Sequence, residues 1–204
     1  MSIGYLIPST SQADVPDAPI WRLTPAQYRQ MILNGILTED DPVELLEGWL
    51  VQKMSKNPPR RLVKRRLLDA LARMVLDGWY VEEQEPIALD TSAPEPDVFI
   101  ARGESEDYRD RDPEAADLAL VVEIAESSLA RDRGMKKRIY ARAGVPTYWI
   151  VNLVDKVIEE YSDPSGPTET PDYRVRRDLR LDDEIALVLD GIEVGRLFVR
   201  EVLD

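Results

Sequence analysis

A few carboxylates and one lysine stand where chemistry could be built. Glu123 lies inside LALVVEIA (118–125), the most apolar stretch of the chain. A bare carboxylate there is expensive. It must be paired, protonated or bound to metal, unless it merely emerges at the strand end. Asp97 follows Pro96 and opens VFIA (98–101), a place where Asp commonly makes only a turn. If strands 97–101 and 118–125 are neighbours, the two acids converge at one edge of a sheet. Two hard carboxylates at one point, with no His or Cys nearby, suit magnesium or manganese. On the helix expected after Glu123, Asp132, Lys136 and Tyr140 stand at i, i+4 and i+8, on one face. Lys136 adjoins the apolar stripe Met135, Ile139 and Ala143, so it can reach the carboxylates. The plainer reading is a surface Asp132–Lys136 pair worth a few tenths of a kcal/mol. Glu44 and Glu47, three apart in ELLEG, either add a carboxylate or are solvated acids at a turn.

Composition narrows the choices. The chain has 204 residues, 44% hydrophobic and 32% charged, which suits one soluble domain with a sizeable core. It has no cysteine, which excludes disulfides, thiolate zinc sites and a cysteine nucleophile. It has no histidine, which excludes Ser-His-Asp triads and His-ligated zinc. Any catalysis falls to carboxylates, lysine, tyrosine, serine or a metal. A net charge of −13 argues against a protein that coats nucleic acid. The charge is uneven, however. Seven basic residues and no acid lie between Lys53 and Arg66, and a second basic run spans Arg131 to Arg142. That leaves room for a phosphate-binding face. No apolar run approaches the ~20 residues a membrane span needs. The N-terminus has no basic region of a secretory signal, so the cytoplasm is the expected compartment.

The elements that must position these residues read as follows. Residues 1–20 are rich in Pro, Ser and Asp and suggest a flexible arm, with one domain over 21–204. Thr24-Pro25 and Gln27 form a capping box, and Asn34-Gly35 ends that helix. Residues 43–53 run from an apolar turn into a strand. Pro58-Pro59 opens a basic helix to about Asp77, closed by Gly78. Strands are expected near 79–83, 86–89 and 97–101, then a charged loop over 102–117. LALVVEIA reads as a strand buried on both faces. A helix over 129–143 and a second buried strand, TYWIVNL (147–153), complete a βαβ unit with parallel strands. An antiparallel strand over 156–161, a turn over 163–167 and short β segments follow. The order implies an α/β fold with a mixed central sheet.

The runs ELLEGWLV, EPDVFIA and LALVVEIAESSLARDRGMKKRIYARAGVPTYWIVNL, in that order, resemble the Uma-two family of restriction endonucleases. That family is a branch of the PD-(D/E)XK nuclease superfamily. The resemblance covers roughly residues 24–190. It implies a restriction-endonuclease-like mixed sheet flanked by helices, with additional C-terminal β segments. It places the PD motif on Pro96-Asp97 and the second acid on Glu123. The superfamily lysine usually stands two residues later, where this chain has Ala125, and the resemblance assigns its role to Lys136. Glu44 takes the place of the N-terminal acid, with Glu47 as the alternative. Asp97 and Glu123 are then the expected ligands of Mg2+ or Mn2+, with Asp132 and Tyr140 fixing the lysine. Arg60, Arg61, Lys64 and Lys137 are the expected phosphate contacts. Arg60 stands where the family often has a histidine.

The reading implied is a metal-dependent endonuclease acting on DNA. The alternative is a module that keeps the fold, cleaves weakly or not at all, and acts by binding nucleic acid or protein. The break at Ala125, Arg60 and the acidic balance point that way. Asp97, Glu123 and Lys136 point to the enzyme. A fold of this kind also suggests a homodimer, since cutting both strands of a duplex needs two sites related by a two-fold axis.

Overall fold

The computed structural model describes residues 18–38, 40–53 and 58–204. Most of the expected N-terminal arm lies outside them, and 18–20 is exposed. Helix α1 (Pro25–Leu33) starts with the expected capping box, Thr24 and Gln27 bonding reciprocally. A separate hairpin follows, β1 (Val43–Leu46) and β2 (Trp49–Gln52). Then come α2 (Pro58–Ala72), β3 (Trp79–Glu82), β4 (Val98–Arg102) and β5 (Leu118–Ala125). A composite helix spans 129–143. It consists of α3 (Leu129–Arg131), a π-helical segment (Asp132–Lys136) and α4 (Lys137–Ala143). The chain ends in β6 (Thr147–Asn152), β7 (Val157–Pro164), β8 (Tyr173–Leu179), the hairpin β9 (Glu184–Leu189) and β10 (Ile192–Phe198), and α5 (Val199–Leu203).

Strands β3 to β8 form one mixed six-stranded sheet in sequence order, parallel only between β5 and β6. Every residue of β5 is buried, so its unbroken apolar run packs on both faces. Val98, Ile100, Val122, Ile124, Trp149 and Val151 face α2, α5 and the β9–β10 hairpin. Phe99, Ala101, Val121, Ala125, Tyr148 and Ile150 face the composite helix and Leu46. The sheet is thus the middle layer of three. Among the described residues no helix is long and apolar enough to cross a membrane.

Four expectations need correction. Residues 43–53 are a hairpin rather than a turn leading into one strand, so Glu44 sits on a strand. Glu47 and Gly48 both take positive φ, the two-residue turn that matches strand twist. Gly48 is required there, because a Cβ would lie 2.5 Å from Cβ of Arg22. Residues 86–89 make only isolated bridges: Pro86 lacks a donor, and the amides of Ile87, Ala88 and Leu89 bond to Pro94, Pro113 and Ser92. Helix α2 stops at Ala72, short of Asp77, as the Leu71 carbonyl accepts from both Met74 and Val75. The C-terminal β segments are followed by helix α5, whose Val199, Val202 and Leu203 are buried.

The composite helix is clamped to the sheet by charge. The side chain of Glu159 on β7 is fully buried. It accepts from Arg133 Nη2 at 2.5 Å, Asn152 at 3.0 Å and Tyr161 Oη at 2.8 Å. Burial pushes its carboxyl up, but the bonds from Arg133, Tyr161 and Asn152 outweigh burial and hold it below the usual range. Its stabilising contribution is therefore complete above the ordinary value of 4.5 and is lost as pH falls through the lowered folded value. Glu159→Gln is expected to lower unfolding free energy at neutral pH by roughly 3 kcal/mol. Urea titrations at neutral pH and near pH ~3 check this. The variant should lose less stability on acidification than the parent, and equal losses would count against the clamp.

Candidate active site

Sheet register brings the two carboxylates together. Val98 pairs with Val122 in the antiparallel β4–β5 ladder, so Asp97, one step before β4, falls opposite Glu123. Side chains alternate along strands, so Asp97 shares the face of Phe99, and Glu123 that of Val121 and Ala125. That is the face covered by the composite helix. Asp97 is 4% exposed and Glu123 2%. Asp97 Oδ2 accepts from the Ile124 amide at 2.7 Å, which locks the carboxylate to the neighbouring strand.

Lys136 is the hub. Its Nζ lies 2.7 Å from Glu123 Oε1 and 3.0 Å from Glu44 Oε2. Tyr140 Oη donates to the same Glu123 oxygen at 2.9 Å. Glu44 is as buried as the others and also accepts from the Glu95 amide at 3.2 Å. Burial pushes Glu123 up to about 8 against the pull of Lys136, while Asp132, Asp97 and Glu44 add repulsion. Burial opposes the charge on Lys136, but Glu123, Glu44 and Asp132 outweigh it and hold the ammonium charged. Tyr140 is pushed up chiefly by burial, so it serves as a donor.

The turn that carries Lys136 is π-helical. In an α-helix Asp132 and Lys136, at i and i+4, would make a plain surface ion pair. Here Lys136 pairs with Glu123 and Glu44 instead, and it makes no direct ion pair with Asp132. Asp132 is 1% exposed, and its Oδ2 accepts no hydrogen bond. Burial, the largest cause, pushes its carboxyl up. Arg131 Nε, on the same stretch, is likewise buried without a hydrogen bond.

Sequence reasoning gave Arg131 no individual role. It reaches to 4.0 Å from Glu44 and donates to the Gln52 carbonyl at 2.7 Å. Its only sequence signal was membership of the basic run. The expected phosphate contacts scatter. Arg60 donates to Asp97 Oδ2 at 2.5 Å. Lys64 pairs with Glu83 and Lys137 with Asp172. Arg61 is exposed at the start of α2.

The donor set is one of hard oxygens. Asp97 Oδ1 and Glu123 Oε2 accept no hydrogen bond from a described residue, and Asp132 Oδ2 is buried and accepts none. Oxygen donors with surplus negative charge fit magnesium or manganese. Among the described residues no three metal-type side chains close into one shell. Asp97 and Glu123 could therefore hold such an ion only with ligands from water or a bound phosphate.

One ammonium shared by two buried carboxylates has a measurable consequence. Lys136→Met should destabilise the fold by roughly 3 kcal/mol, because it strands both acids. Adding Glu44→Gln should recover at least about 1 kcal/mol of that loss in a denaturation cycle. Simple additivity of the two substitutions would sink the shared-ammonium account.

Comparison with known proteins bears on the fold and the family. No curated protein matches the chain. A crystal structure from Anabaena variabilis ATCC 29413, described as a "putative nuclease belonging to DUF820", superimposes with a TM-score of 0.69 at 12% identity. The match covers 89% of this chain and 97% of that one, and at this identity it speaks for the fold. The family described as "Uma2: Putative restriction endonuclease" matches residues 25–195. With that match over most of its length and a nuclease-like fold, the chain belongs to the Uma2 family.

Proposed function

We propose that this protein is a metal-dependent endonuclease that hydrolyses DNA phosphodiester bonds at the Asp97–Glu123 site. The observation that carries the reading is the convergence of Asp97, Glu123 and Lys136 at one end of the β4–β5 strand pair, with Lys136 Nζ 2.7 Å from Glu123. Asp97 and Glu123 would hold Mg2+ or Mn2+. When bound, such an ion polarises the phosphate and lowers the pKa of a coordinated water. The chain's own residues do the positioning. The Ile124 amide fixes Asp97, and Tyr140 fixes Glu123 Oε1. Lys136 stays charged at the edge of the acid pair, where it can offset charge developing on phosphorus.

Basic side chains suited to the DNA backbone flank this region. A groove of about 520 Å3 lies at the β1–β2 turn rather than over the carboxylates. It is lined by Arg22, Glu47, Arg138 and Arg142. Glu47 neutralises part of it, accepting from Arg138 Nη2 at 2.6 Å. A homodimer acting in the cytoplasm suits a cut through both strands of a duplex. The second reading, a module that binds without cutting, is favoured by the Arg60–Asp97 contact, which takes up one of the proposed metal ligands.

Cleavage of supercoiled plasmid and short duplexes with Mg2+ or Mn2+ tests the proposal. Asp97→Asn and Glu123→Gln should each slow it by at least ~100-fold without loss of fold. Parent-like cleavage in both variants would place the chemistry elsewhere. Fluorescence anisotropy with labelled duplex separates the readings, since tight binding without cleavage by the parent supports the module.

A further inference from the structure

The cation nearest the proposed metal ligands is part of the chain. Arg60, on the first turn of α2, sends Nη2 to Asp97 Oδ2 at 2.5 Å. The side chains are 17% and 5% exposed, so this is an ion pair largely out of water. After burial, which opposes its charge, the influences on the guanidinium come from Asp97, Glu123 and Asp132. Those are the two proposed ligands and the acid whose buried Oδ2 lacks a partner. The same residues fail to close into a metal shell as they stand. A guanidinium bonded to Asp97 supplies part of the charge a divalent ion would bring and takes up one oxygen of that carboxylate.

We propose that Arg60 is a resident cation on Asp97, holding the carboxylate that a divalent ion would use, so that metal binds there only by displacing it. The proposal rests on the metal-site reading above and assigns the regulation of that site. Two cations cannot share Asp97 at close range without strong repulsion. Metal affinity of the free protein is therefore low because a side chain competes for the same carboxylate. Displacement needs only rotation of a long side chain near the surface, toward a phosphate if one is present. The helix that carries it need not move.

Titration calorimetry with MnCl2, in the absence of nucleic acid, tests this on the full chain. The proteins compared are the parent, Arg60→Gln, Arg60→Ala and Arg60→Ala with Asp97→Asn, each checked for fold by circular dichroism. The expected result is Mn2+ binding at least about tenfold tighter in both single variants, abolished by the added Asp97→Asn. Ethylguanidinium should weaken Mn2+ binding by Arg60→Ala, because it refills the vacated space. Equal affinities in parent and single variants would overturn the resident-cation proposal and leave the metal-site reading standing. No binding by any folded variant would overturn both. Tighter binding that survives Asp97→Asn would also overturn the proposal, since the ion would then not compete for Asp97.

Discussion

The buried ammonium of Lys136 is the constraint on which the rest of the site depends. It joins three separate pieces of chain: Glu44 on β1, Glu123 on β5 and the helix that crosses from β5 to β6. Removing any partner leaves a charge in a medium that does not tolerate one. The β1–β2 hairpin is outside the main sheet, and this contact helps tie it to that sheet. The Lys136 ammonium that anchors the hairpin also faces the acid pair, so stability and the proposed chemistry would meet at one atom.

Around that hub the fold concentrates acid and then compensates it incompletely. Glu44, Asp97, Glu123 and Asp132 are all nearly inaccessible, and the cations near them are Lys136, Arg60 and Arg131. Burial first, and repulsion among the acids second, push Glu123 and Asp132 upward. Groups perturbed in this way by burial and by each other mark functional sites more often than ordinary surfaces. Glu159 shows the opposite solution. It has Arg133, Asn152 and Tyr161 for one carboxylate, and it is held low. The first arrangement keeps unsatisfied capacity for a ligand, whereas the second is saturated and structural.

The location follows from the topology. The parallel pair β5–β6 requires a crossover, and the crossover helix begins just past the C-terminal end of β5, where Glu123 lies. Ligand sites gather at such strand ends because the chain diverges there. On that crossover Lys136 reaches Glu123 on the sheet, and Asp132 Oδ2 is buried without a hydrogen bond.

Some of this was determined by the sequence alone. The unbroken apolar run of LALVVEIA marked a doubly buried strand, and a short-linked helix and second strand made the crossover parallel. Pro-Asp before one strand and Glu within the next were enough to suggest two converging acids. Local rules carry such information: period, capping and handedness belong to contiguous residues. Tertiary structure alone decided the rest. Nothing in ELLEG showed that Glu44 would be on a strand beside Lys136, nor that Arg60 would turn from solvent to Asp97. The regular spacing of Asp132 and Lys136 allowed an ion pair, but in the fold Lys136 pairs with Glu123 and Glu44. These outcomes depend on which charges are left without water once distant elements pack. That is a property of distance and dielectric in the folded state, and no run of neighbouring residues encodes it.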